Sequence, residues 1–120
     1  VKPNASDDLT VELRREGSIQ IATLRGSAGT ETGEDLQRRL IAAATDQPPK
    51  IVVDLSGLSF VNSAGLGAFI ALHQHCRQHG GDVCFVNPRP AVAQILRVTN
   101  LDRLIRTYPD LDSAIKALSS

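Results

Sequence analysis

The stretch Ile51–Phe69, IVVDLSGLSFVNSAGLGAF, decides how the chain is read. Ile51-Val52-Val53 is too short and too β-branched for anything but a central strand, apolar on both faces. A short loop from Leu55 to Asn62 is expected next, and then a helix that opens on Ser63 with glycines at Gly65 and Gly67. The first turn of a helix leaves backbone N–H groups without partners and carries partial positive charge, so an oxygen-rich or anionic group is stabilised there. Ser63 thus stands where a phosphoryl group could be carried. Asn62 and Ser63 are both favoured N-cap residues, so the plain alternative is that either is present only to satisfy the first turn. The two roles coexist if Asn62 caps while the Ser63 hydroxyl faces outward. Gly65 and Gly67 each lower helix propensity by about 1 kcal/mol relative to alanine, so two within one turn call for a reason. Close approach by another surface is one reason, and tight packing of this helix on its own sheet is the other.

Outward from this stretch, element types alternate. Leu9, Val11 and Leu13 alternate with polar neighbours, and after Glu16-Gly17-Ser18 the run Ile19 to Leu24 repeats the pattern, which predicts a hairpin. Gly26-Ser27-Ala28-Gly29 reads as a flexible loop ending the second strand. From Thr32, a candidate cap, Leu36, Leu40, Ile41 and Ala44 recur at helical spacing until Pro48-Pro49. The helix from Ser63 runs to about His79, where Gly80-Gly81 stops it. Val83 to Val86 is a strand, and Pro88 and Pro90 bracket the turn into a helix carrying Val92, Ile95 and Leu96. Ile105 to Thr107 is a last short strand, and Asp110 caps a terminal helix with Leu111, Ala114, Ile115 and Leu118 inward. The expected fold class is α/β: a mixed sheet of about five strands with about four helices packed mainly on one face. In such open sheets, partners meet the loops beyond the carboxyl ends of the strands. Leu55–Asn62 is expected there, with Gly26–Gly29 and Asn87–Arg89 nearby.

With 120 residues the chain is one domain, expected over 9–118, with residues 1–8 read as a disordered N-terminal segment. Thirteen basic residues offset thirteen acidic ones, and one tyrosine and three phenylalanines are the only aromatics, so a basic, aromatic-bearing nucleic-acid surface is not suggested. The apolar runs fall far short of the roughly 20 residues that span a bilayer, no signal peptide is legible, and a cytoplasmic location is expected. Cys76 and Cys84 read as two buried free thiols rather than a disulfide framework.

The central stretch also resembles the STAS domains of anti-sigma-factor antagonists. Their motif, a hydrophobic strand followed by D-L-S-x-[LV]-x-[FY]-[VIM]-D-S-[ST]-G-L-G, stands here as Asp54-Leu55-Ser56-Gly57-Leu58-Ser59-Phe60-Val61-Asn62-Ser63-Ala64-Gly65-Leu66-Gly67. The likeness continues in register through Gly80-Gly81-Asp82-Val83, Val86-Asn87-Pro88 and Val92-Ala93-Gln94-Ile95-Leu96 to Leu101. The resemblance implies that Ser63 is the phosphoacceptor and that Asn62, Ser63, Ala64, Gly65, Leu66 and Gly67 form the partner-binding surface. It implies docking on an anti-sigma factor serine kinase, release of a sigma factor, and a serine phosphatase that reverses the modification. A non-switching scaffold or accessory subunit of a stress-signalling or transporter complex is the alternative. No cofactor is implied, and the oligomeric state is left between monomer and weak dimer. Three positions depart from the pattern: Asn62 replaces the usual aspartate, Ala64 the usual serine or threonine, and Gly26-Ser27-Ala28-Gly29 a common G-x-[LIV]-D.

Catalysis is not expected. Val61-Asn62-Ser63-Ala64-Gly65 lacks the first glycine of a G-x-S-x-G elbow, and no histidine is placed by sequence to act as a base. Gly65-Leu66-Gly67 lacks the third glycine of a dinucleotide fingerprint. His75 and His79 have a spacing that could place two imidazoles on one metal, with Cys76 between them. Helical phase instead puts His73 and Cys76 on an inward stripe with Leu66, Phe69 and Ile70, and leaves His75 and His79 solvated on another face, so no metal is expected.

Overall fold

The structure, a computed structural model, describes residues 9–28 and 30–119, so the disorder expected for residues 1–8 lies outside the described residues. The chain runs β1 (Leu9–Glu16), β2 (Ile19–Ala28), α1 (Thr30–Ala43), β3 (Lys50–Val61), α2 (Ser63–Gln78), β4 (Asp82–Val86), α3 (Pro90–Val98), α4 (Leu101–Leu104), β5 (Thr107–Tyr108) and α5 (Leu111–Ser119). The five strands lie side by side in sequence order; β1 is antiparallel to β2 and every later pair is parallel. The hairpin closes through Gly17, whose φ of 60° is a conformation that glycine adopts without steric cost.

The α/β expectation holds, and β3 shows why its sequence is apolar without alternation. Ile51, Val53 and Leu55 join the large core with Leu36 and Leu40 of α1, Phe69 and Leu72 of α2, and Val92 and Leu96 of α3. Val52 points the other way, into a smaller core with Ile19, Ile21, Cys84, Val86 and the α5 residues Ala114 and Leu118. Both faces of the central strands are therefore covered, four helices on one side and α5 on the other. Phe69 meets Phe85 edge-on, ring centroids 4.9 Å apart, and this contact pins α2 to the middle of the sheet.

Several boundaries differ from expectation for identifiable reasons. Leu55–Asn62 is not a loop: β3 continues to Val61, pairing with β2 through two register shifts. Gly57 sits at the first shift, where an added Cβ would lie 2.7 Å from the Leu24 carbonyl oxygen, so the bulge accepts only glycine without movement. The Asp54 carboxylate accepts from the Ser56 N–H, and the Ser59 hydroxyl donates to the Gly26 carbonyl, which replaces ladder bonds lost at the shifts. For the same reason Gly26–Ala28 is strand rather than loop; Gly29 is outside the described residues. Helix α1 starts at Thr30, and Thr32, inside its first turn, donates its hydroxyl to the Ser27 carbonyl. One extra turn, α4, precedes a final strand that is Thr107–Tyr108 instead of Ile105–Thr107, because Ile105 is drawn into the large core.

Both cysteines are free and buried, as expected. Burial, with a smaller contribution from the Asp82 carboxylate, pushes the Cys76 thiol up to about 11 and the Cys84 thiol up to about 12. The folded thiols thus keep their protons where unfolded thiols, with pKa about 8.5, lose theirs. Their contribution to stability is fully present below that unfolded value and falls away as pH rises towards about 11 and 12. Denaturant titrations should show stability declining above roughly pH 8.5, and neither thiol should react with a disulfide reagent at pH 8 until the protein unfolds.

Candidate functional site

The mouth of α2 is built by the junction of two strands and a helix. The Asn62 backbone N–H donates to the Ala28 carbonyl at 3.0 Å, extending the β2–β3 pairing to the last residue before the helix. Asn62 is the N-cap: its backbone is extended, and its side-chain Oδ1 accepts from the N–H groups of Ala64 (3.0 Å) and Gly65 (3.3 Å). Asparagine is suited to this because its short side chain reaches the free N–H groups while its own backbone stays outside the helix. Ser63 follows as the first helical residue and is exposed. Capping and exposure are thus divided between neighbours: Asn62 caps the helix and Ser63 is open to solvent.

The six consecutive residues Asn62–Gly67 are not equivalent. Gly65 is buried, and a Cβ there would lie 2.6 Å from Val61 Cγ2 and 2.7 Å from the Ala28 carbonyl oxygen, so it packs α2 onto its own sheet. Gly67 is exposed, and a Cβ there would meet nothing within 4 Å. The two glycines therefore have different reasons, one internal and one facing solvent. Ala64 is half-buried against α1, where a Cβ on Gly33 would come within 2.7 Å of the Ala64 Cβ, leaving no room at Gly33 for a larger residue. Leu66 is half-buried and packs on the core edge.

Sequence reasoning missed two apolar neighbours. Phe60 and Ile70 are 49% and 38% exposed. Ser63, Leu66, Gly67 and Ile70 follow i, i+3, i+4, i+7 spacing, so they share one outward stripe of α2. The inward stripe is instead Gly65, Ala68, Phe69, Leu72 and Cys76, rotated from the expected phase because the contact at Gly65 sets which side of the helix meets the sheet. The signal that could have revealed this was Gly65 itself, as a close-packing residue. Nearby, the Arg89 guanidinium donates from Nε to the Ser56 carbonyl at 2.9 Å, bringing the Asn87–Arg89 segment alongside the β3 bulge as expected.

His75 and His79 lie side by side at the end of α2 opposite Ser63, ring centroids 4.5 Å apart. His75 is half-buried rather than solvated, and its Nε2 lies 3.0 Å from the Ala44 carbonyl, to which it must donate because a carbonyl only accepts. Likewise His79 donates from Nδ1 to the His75 carbonyl. His73 is half-buried and Cys76 fully so. Among the described residues no group of three or more His, Cys, Asp or Glu could hold a metal ion, and no helix is long and apolar enough to cross a membrane.

A family model for the STAS domain matches residues 10–114. The chain belongs to the STAS-domain family of anti-sigma-factor antagonists. It is 30% identical over 115 residues to the anti-sigma-F factor antagonist RsfA of Mycobacterium tuberculosis, covering 93% of this chain and 89% of that protein. It is 34% identical over 85 residues to Rv2638 of the same organism, whose name assigns it provisionally to the anti-anti-sigma factors. That match covers 68% of this chain and 57% of Rv2638, so only part of the longer protein is represented. A crystal structure of an anti-sigma factor antagonist from Mycobacterium paratuberculosis superposes with a TM-score of 0.87 at 26% identity, covering 98% of this chain and all of that one.

Four substitutions test this geometry. Gly65→Ala should destabilise the protein by about 1–3 kcal/mol through overpacking at Ala28 and Val61. Gly67→Ala, with open space and a helical backbone, should raise stability by up to about 1 kcal/mol. Asn62→Ala should cost about 1 kcal/mol by freeing two N–H groups, and Asn62→Asp should restore the cap. Chemical denaturation of the four variants reads all of these.

Proposed function

We propose that this STAS-domain protein is a partner switch: unmodified, it binds an anti-sigma serine kinase and so frees a sigma factor, and phosphorylation of Ser63 ends that binding. A serine phosphatase would return it to the binding state, and the exchange would take place in the cytoplasm. The observation that carries the reading is the exposure of Ser63 at the first position of α2 while Asn62 supplies the cap. The hydroxyl is free to be modified without taking a structural bond away from the helix.

The electrostatics suit such a switch. The first turn of α2 carries no acidic side chain, and the chain as a whole has a formal charge of zero. A phosphate adds about −1.5 to −2 charge at neutral pH and three acceptor oxygens. The helix terminus tolerates this charge, and because Asn62 already accepts from Ala64 and Gly65, the phosphate projects outward instead of replacing the cap. A partner seated on Ser63, Leu66, Gly67 and Ile70 meets a small, neutral and partly apolar stripe before modification. After it, the same partner would have to desolvate a dianion, which costs several kcal/mol when no opposite charge is supplied. The protein acts here as a binding module and not as a catalyst.

In a binding titration with the anti-sigma kinase, Ser63→Ala should bind as the unmodified protein does and resist release by ATP. Ser63→Asp or Ser63→Glu should bind at least tenfold more weakly, about 1.4 kcal/mol or more. Intact mass after incubation with kinase and ATP should show a single added phosphate, absent from Ser63→Ala. Equal affinity of the alanine and acidic variants would instead favour the constitutive scaffold.

A further inference from the structure

At the far end of α2 from Ser63, about 20 Å along the helix axis, the sheet leaves a recess of about 570 Å³. The recess exists because β5 pairs only with Phe85 and Val86, so the first half of β4 has no neighbouring strand on that side. His73 and Arg77 of α2, Arg103 of α4, Arg106, Asp82 and Tyr108 supply its polar lining, and side chains of β4, α4 and α5 supply an apolar remainder. Three arginines thus converge where a single carboxylate is present, in a chain whose net charge is zero.

That carboxylate is already engaged. Asp82 Oδ1 accepts from the Val83 N–H at 2.8 Å, and Oδ2 lies 3.7 Å from the Arg77 guanidinium. The Asp82 bond occupies the exposed edge of β4, so the recess does not offer the free N–H of Val83 to an added strand. Among the described residues, Arg103 and Arg106 have no ion-pair partner. Arg106 is held in place through its main chain, whose carbonyl accepts from the Phe85 N–H at 2.9 Å. Guanidinium groups present planar, paired donors that match carboxylate and phosphate oxygens. The volume is in the range of small-molecule sites, about 300–1,000 Å³, but the charged lining suits a polar ligand.

We propose that this recess binds a small polyanion, a molecule bearing two or more phosphate or carboxylate groups, through Arg103 and Arg106 with Arg77 as third partner. The site lies at the opposite end of α2 from the surface at Ser63, so both can be occupied together.

Inorganic pyrophosphate and citrate, titrated separately at constant ionic strength and followed by amide and arginine Nε–H NMR, test the proposal. Saturable shifts confined to Arg77, Asp82–Cys84, Arg103, Arg106 and Tyr108 are expected. The exposed pair Arg103→Gln/Arg106→Gln should weaken binding at least tenfold with the remaining amide spectrum unchanged. The control Arg38→Gln, on α1, should leave affinity as it was. Saturation by pyrophosphate alone assigns a phosphate ligand, by citrate alone a carboxylate ligand, and by both a polyanion site without preference. Linear shifts that match added chloride, or equal affinity in the double variant, overturn the proposal.

Discussion

The seam between the end of β2 and the start of α2 is the constraint on which the site depends. Ala28 receives the Asn62 N–H on its carbonyl, and the same residue lies against Gly65 one helical turn later. A side chain at Gly65 would separate helix and sheet, and the loss of the Asn62 hydrogen bond would release the helix start from the strand that carries it. Because both contacts are made by backbone or by atoms next to it, they leave little freedom in where Ser63 is presented. The register shifts in β3 serve the same end: they lengthen the strand to Val61 so that the helix begins at the sheet rather than after a loop.

Once α2 is fixed at its first turn, its remaining faces are assigned. The side with Gly65, Phe69 and Leu72 belongs to the core, the side with Ala64 meets Gly33 of α1, and the stripe from Ser63 to Ile70 is left to solvent. A neutral, partly apolar stripe beginning at an unburdened hydroxyl is a surface whose binding properties can be changed by a single charge. The other end of the helix is electrostatically different, with Arg77 joining Arg103 and Arg106 around a recess. One helix therefore connects two surfaces of unlike chemistry.

The alternating element types, the hairpin at Gly17, the double-sided apolarity of Ile51-Val52-Val53 and the helix opening at Ser63 were all legible in the sequence, because each follows from local chemistry and period. The family motif could be read there too, and its serine falls at the exposed helix start. The phase of α2 was not legible. Leu66 and Ile70 are as hydrophobic as Phe69 and Leu72, and periodicity alone does not tell which neighbouring stripe faces inward.

What the chain's own residues determined is the order and kind of its main elements and a pair of capping residues, Asn62 and Ser63, where α2 opens, since these depend on contacts within a few positions. What only the tertiary structure decided is how far β3 runs, which glycine is packed and which is open, that His75 is tied to the Ala44 carbonyl, and that Arg77 shares one recess with Arg103 and Arg106. Each of these is fixed by atoms brought close from other elements. Such distances are set when the layers pack, and no local pattern carries them.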